Sequence, residues 1–120
     1  MKVLIAEEDP KLRYAIQVLA QEQPGWTVAG VVDSMEALIE LVPAICPELV
    51  IMDMDMPGIS YRKIEQYIEA HVNKIVCLVS LPINHTSLTT GLVPKRIWIS
   101  KTESPENLVQ IFKSYRENKQ

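Results

Sequence analysis

Short apolar runs rich in β-branched residues alternate with longer amphipathic segments along the chain. The runs are Val3–Ala6, Val28–Val32, Leu49–Met52, Ile75–Val79 and Ile97–Ile99. Short apolar runs that end in turn residues are typical of strands buried on both faces. Because segments long enough for helices separate the runs, the pattern predicts an α/β fold, with a parallel sheet covered by helices on both faces.

The sequence signals for helices are strong for the second helix and weak for the fourth connection. Asp33, three residues before Glu36, resembles a capping box at the start of the second helix. Pro43 and Pro47 are expected to end that helix, since proline removes a backbone hydrogen bond from a helix interior. The fourth connection, residues 82–94, is rich in Thr, Ser and Asn and predicts only a short or irregular helix.

The alternation also limits the topology. Right-handed crossovers leave few arrangements of five parallel strands. We expect the doubly wound, flavodoxin-like order 2-1-3-4-5, with its switch point between the first and third strands. The 120 residues are expected to form a single domain over 1–120.

Composition and charge exclude several classes of protein. A hydrophobic content of 48% argues against a disordered chain, and the formal net charge of −3 indicates no nucleic-acid surface within 1–120. The first apolar run is too short for a signal peptide or a membrane span, so a cytoplasmic protein without a membrane anchor is expected. Cys46 and Cys77 have neither the spacing of a zinc site nor that of a disulfide framework.

Chemically active side chains follow four of the predicted strands. They are Glu7 and Glu8 after the first strand, Asp53 and Asp55 after the third, Ser80 after the fourth and Lys101 after the fifth. In the expected strand order all six gather at one edge of the sheet, where ligands of open α/β sheets bind. The sequence therefore predicts an acidic site flanked by a hydroxyl and an ammonium group.

The residue types indicate phosphate chemistry. Several carboxylates in a small space repel one another, and they stay ionised together only if a cation joins them. Oxygen ligands of this kind suit Mg²⁺, which favours one or two carboxylates plus phosphate oxygens. One aspartate can then attack phosphorus to give an aspartyl phosphate, while the metal and a lysine neutralise charge on the transferring group.

Over essentially its whole length the chain resembles the receiver domain of bacterial two-component response regulators. The matching segments are residues 2–10, 47–53, Met56-Pro57-Gly58, Ser80, 98–101 and 104–108. Residues 26–30 and 101–105 look most like the branch in which a LuxR/NarL-type helix-turn-helix DNA-binding domain follows the receiver. Such a C-terminal domain would lie outside these 120 residues.

The resemblance implies a signalling switch rather than an enzyme with an external substrate. Asp53 would accept a phosphoryl group from a sensor histidine kinase, and the only chemistry would be the domain's own phosphorylation and dephosphorylation. Ser80 and Lys101 would contact the phosphoryl oxygens. The output would be an effect such as transcription regulation.

The resemblance also implies a Mg²⁺ site. Glu7 and Glu8 occupy the positions of the acidic pair, and Asp53 would be a further ligand. Asp55 would contribute its backbone carbonyl, while its side chain is expected to point to solvent.

A switch between two conformations is the third implication. Trp98 stands at the position of the switch aromatic and would act together with Ser80. The face formed by the fourth helix, the fifth strand and the fifth helix would then change its partners. The resemblance also implies a homodimer, formed either through this face or through the first and fifth helices.

Departures from the family pattern leave two alternatives. Glu8 replaces the usual aspartate, and Tyr61 and Leu81 stand where small residues are usual, which favours a degenerate receiver that binds partners without phosphorylation. Asp53-Met54-Asp55 also fits the first motif of a Mg²⁺-dependent phosphatase of the haloacid dehalogenase type. Against the phosphatase, Met56 and Pro57 follow the motif, where that family has Gly-Thr or Gly-Val.

Overall fold

A computed structural model of the chain describes residues 1–80, 96–102 and 104–117. The elements in these ranges are β1 (Lys2–Ala6), α1 (Pro10–Gln21), β2 (Thr27–Val32), α2 (Met35–Ile45), β3 (Leu49–Asp53), α3 (Tyr61–Lys63, continued by π-helical turns over Ile64–Glu69), β4 (Lys74–Val79), β5 (Arg96–Ser100) and the C-terminal helix (Pro105–Glu117). The helix expected over 82–94, together with Leu81, lies outside the described residues. None of the helices in the described ranges is long and apolar enough to cross a bilayer.

The five strands form one parallel sheet in the order β2-β1-β3-β4-β5, which confirms the predicted topology. The register aligns the carboxyl ends of the four strands that matter for the site. Ala6 pairs with Met52, Asp53 with Leu78, and Val79 with Ser100. The loops that follow β1, β3, β4 and β5 therefore leave the sheet at the same edge.

The sheet is buried on both faces. On one side Ile5 and Ile51 pack with residues of α1 and the C-terminal helix, including Ile16 and Phe112. On the other side β-strand residues pack with α2 and α3, for example through Leu38. All five residues of β3 are buried. Fully burying an aliphatic side chain stabilises the fold by about 1.5–3 kcal/mol. The burial of β3 therefore fixes the position of the residues at its carboxyl end.

The prediction for the ends of α2 was wrong in two respects. Ser34, not Asp33, caps the helix, because its Oγ accepts a hydrogen bond from Ala37 N at 3.2 Å. Pro43 lies inside the helix, which continues to Ile45. A proline this close to the C-terminus removes one hydrogen bond but leaves the last turn intact, and Cys46 (φ 54°) then ends the helix in the left-handed conformation.

The third helix departs from regular α geometry. The spacing of Ile64, Tyr67, Ile68 and His71 predicts one apolar stripe on this helix. Ile64 and Ile68 are buried, but Tyr67 is 43% exposed and His71 is also exposed. The i→i+5 bonding of the π-helical turns widens the helix and changes the angle between successive side chains. Residues four apart stay on the buried side, while Tyr67 turns outward.

Candidate functional site

Asp53 is the last residue of β3, the central strand of the sheet, and only 1% of its surface is exposed. Its Oδ1 accepts a hydrogen bond from Asp55 N at 2.8 Å. Met54 N donates to Leu78 O at 2.8 Å, which keeps the chain beside β4 as it leaves β3. The two backbone amides that follow Asp53 thus hold the carboxylate and the chain at the predicted edge.

Lys101 brings a positive charge to this carboxylate. Its backbone N–H donates to Val79 O at 2.7 Å, which extends the pairing of β4 and β5 by one residue. The Nζ atom lies 2.6 Å from Asp53 Oδ1 and 3.6 Å from both Glu7 Oε1 and Asp55 Oδ2. One ammonium group therefore faces three carboxylates, and only Asp53 is within hydrogen-bond distance.

Glu7 is fully buried beside the same ammonium group. Its Oε2 accepts a hydrogen bond from Asp9 N at 3.1 Å, whereas Oε1 is buried without a hydrogen-bond partner in the described part of the chain. Burial and the neighbouring Asp53 carboxylate raise the pKa of Glu7 to about 7, against the opposing effects of the Asp9 amide and Lys101. Near neutral pH this side chain is therefore partly protonated.

Asp53 and Lys101 carry full charges at neutral pH. Burial would raise the pKa of Asp53, but Glu7, Lys101 and the Asp55 amide outweigh it and hold that pKa below its usual value. Burial would lower the pKa of Lys101, but the three carboxylates outweigh it and raise that pKa. The site thus presents an ionised carboxylate, which is the form needed for attack on an electrophile.

Ser80 and Asp55 form a second contact at this edge. The Ser80 hydroxyl donates to Asp55 Oδ2, and Ser80 N donates to the same oxygen at 3.0 Å. The Asp55 side chain is half-exposed, but it does not simply point to solvent as expected, because it bridges Ser80 and Lys101. Met54 and Asp55 lie in the turn that follows β3, so the side chain of Asp55 is placed by the turn, and the pattern of strand residues gave no signal for its contact with Ser80.

Glu8 and Trp98 are the sequence-predicted residues that the structure leaves outside this cluster. The Glu8 side chain is exposed, and within residues 1–80, 96–102 and 104–117 no three acidic, His or Cys side chains are grouped to hold a metal ion. Arg13 Nη1 donates to the carbonyl oxygens of Glu7 at 3.0 Å and Glu8 at 3.2 Å, which fixes the loop that carries both acids. Trp98 is half-buried on β5 and packs on the core between the sheet, α2 and α3.

The donor set still fits a magnesium ion. Mg²⁺ in proteins usually takes one or two carboxylates and fills its remaining positions with water and phosphate oxygens. Glu7 and Asp53 lie beside each other and are both buried, and Glu7 Oε1 receives no hydrogen bond from any of the described residues. A divalent cation at this pair would satisfy that oxygen and relieve the repulsion between the two carboxylates.

The family comparison covers nearly the whole chain. Residues 3–113 match the model of the response regulator receiver domain. The nitrate/nitrite response regulator protein NarL of Escherichia coli strain K12 is 26% identical over 112 residues, which are 90% of this chain and 51% of NarL. The transcriptional regulatory protein YdfI of Bacillus subtilis strain 168 is 24% identical over 108 residues, or 89% of this chain and 51% of YdfI. The chain thus spans about half the length of the curated relatives it matches.

Solved structures share the fold at lower identity. The isolated REC domain of RcsB from Salmonella enterica serovar Typhimurium, solved with the phosphomimetic BeF3⁻, superposes with a TM-score of 0.81 at 20% identity and covers 100% of this chain and 91% of its own. A LuxR-family DNA-binding response regulator from Staphylococcus aureus gives a TM-score of 0.73 at 19% identity, with 94% and 96% covered. The shared architecture is the five-stranded parallel sheet described above.

Proposed function

We propose, since this chain belongs to the family of response regulator receiver domains, that residues 1–120 form one receiver domain acting as a phosphorylation-dependent signalling switch. In this proposal Asp53 accepts a phosphoryl group from a sensor histidine kinase in the cytoplasm. The observation that carries it is the ion pair at the end of β3, in which Lys101 Nζ lies 2.6 Å from the ionised Asp53 carboxylate.

The chemistry of the step follows from these two side chains. A carboxylate oxygen of Asp53 attacks phosphorus, the bond between phosphorus and the kinase histidine nitrogen breaks, and that nitrogen keeps the electron pair. The ammonium group of Lys101 has three N–H donors, so it can follow the negative charge from the Asp53 oxygen to the oxygens of the transferred group. Ser80 supplies a hydroxyl donor at the neighbouring strand end. The protein therefore contributes a nucleophile, a fixed positive charge and one adjustable donor.

Magnesium is proposed as the cofactor of this step. We assign Glu7 and Asp53 as side-chain ligands and the Asp55 carbonyl as a backbone ligand. Glu8 is exposed, so its participation requires its side chain to rotate towards the site. When bound, Mg²⁺ would neutralise charge that develops on the phosphoryl oxygens.

The proposed output is a change of binding surface. Ser80 directly follows β4 and Trp98 lies on β5, and we propose that rearranging them alters the predicted face of the fourth helix, β5 and the C-terminal helix. RcsB, one of the structural neighbours, is described bound to promoter rprA and as dimers bound to DNA. By analogy we propose homodimers, through this face or through α1 and the C-terminal helix, and transcription regulation through a LuxR/NarL-type DNA-binding domain.

Phosphorylation by a small donor tests the proposal directly. The chain is incubated with Mg²⁺ and acetyl phosphate, and intact mass is measured for wild type, Asp53→Asn and Asp33→Asn. Asp33 is a matched control because it is an exposed aspartate that follows β2 at the same edge of the sheet. We expect a phosphoryl adduct on wild type and Asp33→Asn that Asp53→Asn lacks. An undiminished adduct on Asp53→Asn would contradict the assignment.

A second candidate function is a receiver that binds partners without phosphorylation. The exposure of Glu8 favours it, since Glu8 then adds no charge to the cation site. For this candidate, acetyl phosphate gives no adduct on wild type, and Mg²⁺ does not quench tryptophan fluorescence in a parallel titration. Turnover of a phosphate ester without a persisting adduct would instead indicate the phosphatase alternative.

A further inference from the structure

We propose that the Asp55 carboxylate is a positioning residue that engages Ser80 before phosphorylation and competes with the phosphoryl group for the Ser80 hydroxyl. The inference rests on the proposed function, because competition matters only if Asp53 is phosphorylated. It adds a role for a side chain that the chemistry at Asp53 does not itself require.

The geometry joins Asp55 to both partners of the reaction. Its Oδ2 accepts hydrogen bonds from the hydroxyl and from the backbone N–H of Ser80, and the same oxygen lies 3.6 Å from Lys101 Nζ. Its own N–H donates to Asp53 Oδ1 at 2.8 Å, so its position is fixed relative to the phosphoacceptor. Asp55 is thus held between the Asp53 nucleophile and the Ser80 hydroxyl, which would donate to the transferred phosphoryl group.

The stoichiometry of the hydroxyl makes the two contacts exclusive. Serine has one O–H donor, so Ser80 cannot donate to Asp55 and fully to a phosphoryl oxygen at the same time. Lys101 has three donors and already lies closer to Asp53 than to Asp55, so it can serve both. Phosphorylation must therefore break the hydrogen bond from the Ser80 hydroxyl to Asp55, while it need not break the contact between Lys101 and Asp55.

The expected size of the effect is moderate. Hydrogen bonds to charged acceptors are stronger than neutral ones, but Asp55 is 48% exposed, and water competes for its oxygens. We expect removal of the Asp55 carboxylate to tighten binding of a phosphoryl group about tenfold. Loss of a negative charge near the phosphoryl oxygens would also tighten binding, so the contribution of Ser80 has to be separated from this direct effect.

A double-mutant cycle makes this separation. The affinity of the chain for beryllium fluoride with Mg²⁺, used as a phosphoryl mimic, is measured for wild type, Asp55→Ala, Ser80→Ala and the double variant. Asp33→Ala removes the same charge from the edge of the sheet without touching Ser80. We expect about tenfold tighter binding for Asp55→Ala, less than threefold tightening when Ser80 is already alanine, and no tightening for Asp33→Ala. Equal tightening in both backgrounds, or none with Ser80 present, would overturn the proposal.

The Ser80 amide proton gives a readout that does not depend on phosphorylation. Its NMR chemical shift should move upfield in Asp55→Ala, because the hydrogen bond to a carboxylate is lost, and much less in Asp55→Asn, which keeps an acceptor oxygen. An unchanged shift in Asp55→Ala would overturn the proposal by itself. If wild type fails to bind beryllium fluoride, the proposed function fails, and the amide shift still decides whether Asp55 holds Ser80.

Discussion

Glu7 is the buried carboxylate that the described part of the structure compensates least, and Glu7→Gln should therefore stabilise the fold at neutral and alkaline pH. The glutamine amide is close in shape to the carboxylate. Its oxygen can still accept the hydrogen bond from Asp9 N, and its NH₂ group would supply donors at the position of Oε1, which has no hydrogen-bond partner among the residues that the structure describes. The variant removes a charge from a fully buried position without leaving a cavity.

The magnitude follows from the pKa of Glu7. Burial and Asp53 raise that pKa from its ordinary value of 4.5 to about 7, so between these pH values the folded chain binds a proton that the unfolded chain has lost. The free energy of unfolding of wild type should therefore fall as pH rises through this window, by about 3.5 kcal/mol at most, given about 1.4 kcal/mol per pH unit. The variant has no such proton, so this decrease should be absent from its stability curve.

The ionisation of Asp53 changes the free energy of unfolding with the opposite sign and at lower pH. Because its pKa lies below the ordinary value of 3.8, its contribution is present above that value and is lost as pH falls below it. The two effects therefore occupy separate pH ranges. Between pH 5 and 8 the contribution of Asp53 is nearly constant, and the difference between Glu7→Gln and wild type isolates the contribution of Glu7.

Urea denaturation at pH 5 and pH 8, without divalent cations, measures the effect. Glu8→Gln is the matched control, since Glu8 is the next residue in the same loop and its side chain is exposed. We expect Glu7→Gln to gain about 2–3 kcal/mol over wild type between the two pH values, and Glu8→Gln to follow wild type. If Glu7→Gln keeps the pH slope of wild type, the reasoning about the buried carboxylate is refuted. Added Mg²⁺ should stabilise wild type more than Glu7→Gln, because the substitution removes one of the proposed Mg²⁺ ligands.

Three further predictions concern stability and are measured by chemical denaturation at pH 7. Lys101→Met leaves the Asp53 carboxylate buried without its counter-ion and should destabilise the chain by about 3 kcal/mol. Lys101→Arg keeps the positive charge and should cost less stability. Equal losses of stability in the two variants would contradict the ion-pair argument. Ser34→Ala removes the cap of α2 and should cost about 1 kcal/mol, whereas the exposed Asp33→Ala should stay within about 0.5 kcal/mol; the reverse order would restore Asp33 as the cap. Gly30→Ala places a Cβ 2.7 Å from Leu4 Cδ2 and should cost about 1–3 kcal/mol, and a neutral result would show that this contact relaxes freely.

The sheet and the position of the site could be predicted from the sequence. Apolar runs mark strands because a doubly covered sheet buries them on both faces, and β3 is buried along its whole length. Once the strand order is fixed, the residue after each strand must reach the same edge. This reasoning brought Asp53 and Lys101 together, and the structure places their charged atoms 2.6 Å apart.

The finer features could not be predicted because they depend on small differences between local choices. Asp33 and Ser34 are both good helix caps, and the backbone selects the one whose side chain meets the Ala37 amide. Glu7 and Glu8 look equivalent as a pair, yet the turn after β1 buries the first and exposes the second. Such choices are settled by packing around the loop, which the pattern of apolar and polar residues does not record.

The way Lys101 reaches Asp53 has a consequence for folding. Glu7, Asp53 and Lys101 are far apart in sequence, and they meet only when β1, β3, β4 and β5 have all paired in register. A partly assembled chain holds the acids without the ammonium group, or the ammonium group without the acids. Chemical competence at Asp53 is therefore acquired only when these four strands have paired, and a phosphoryl group on this residue would mark a molecule in which they have assembled.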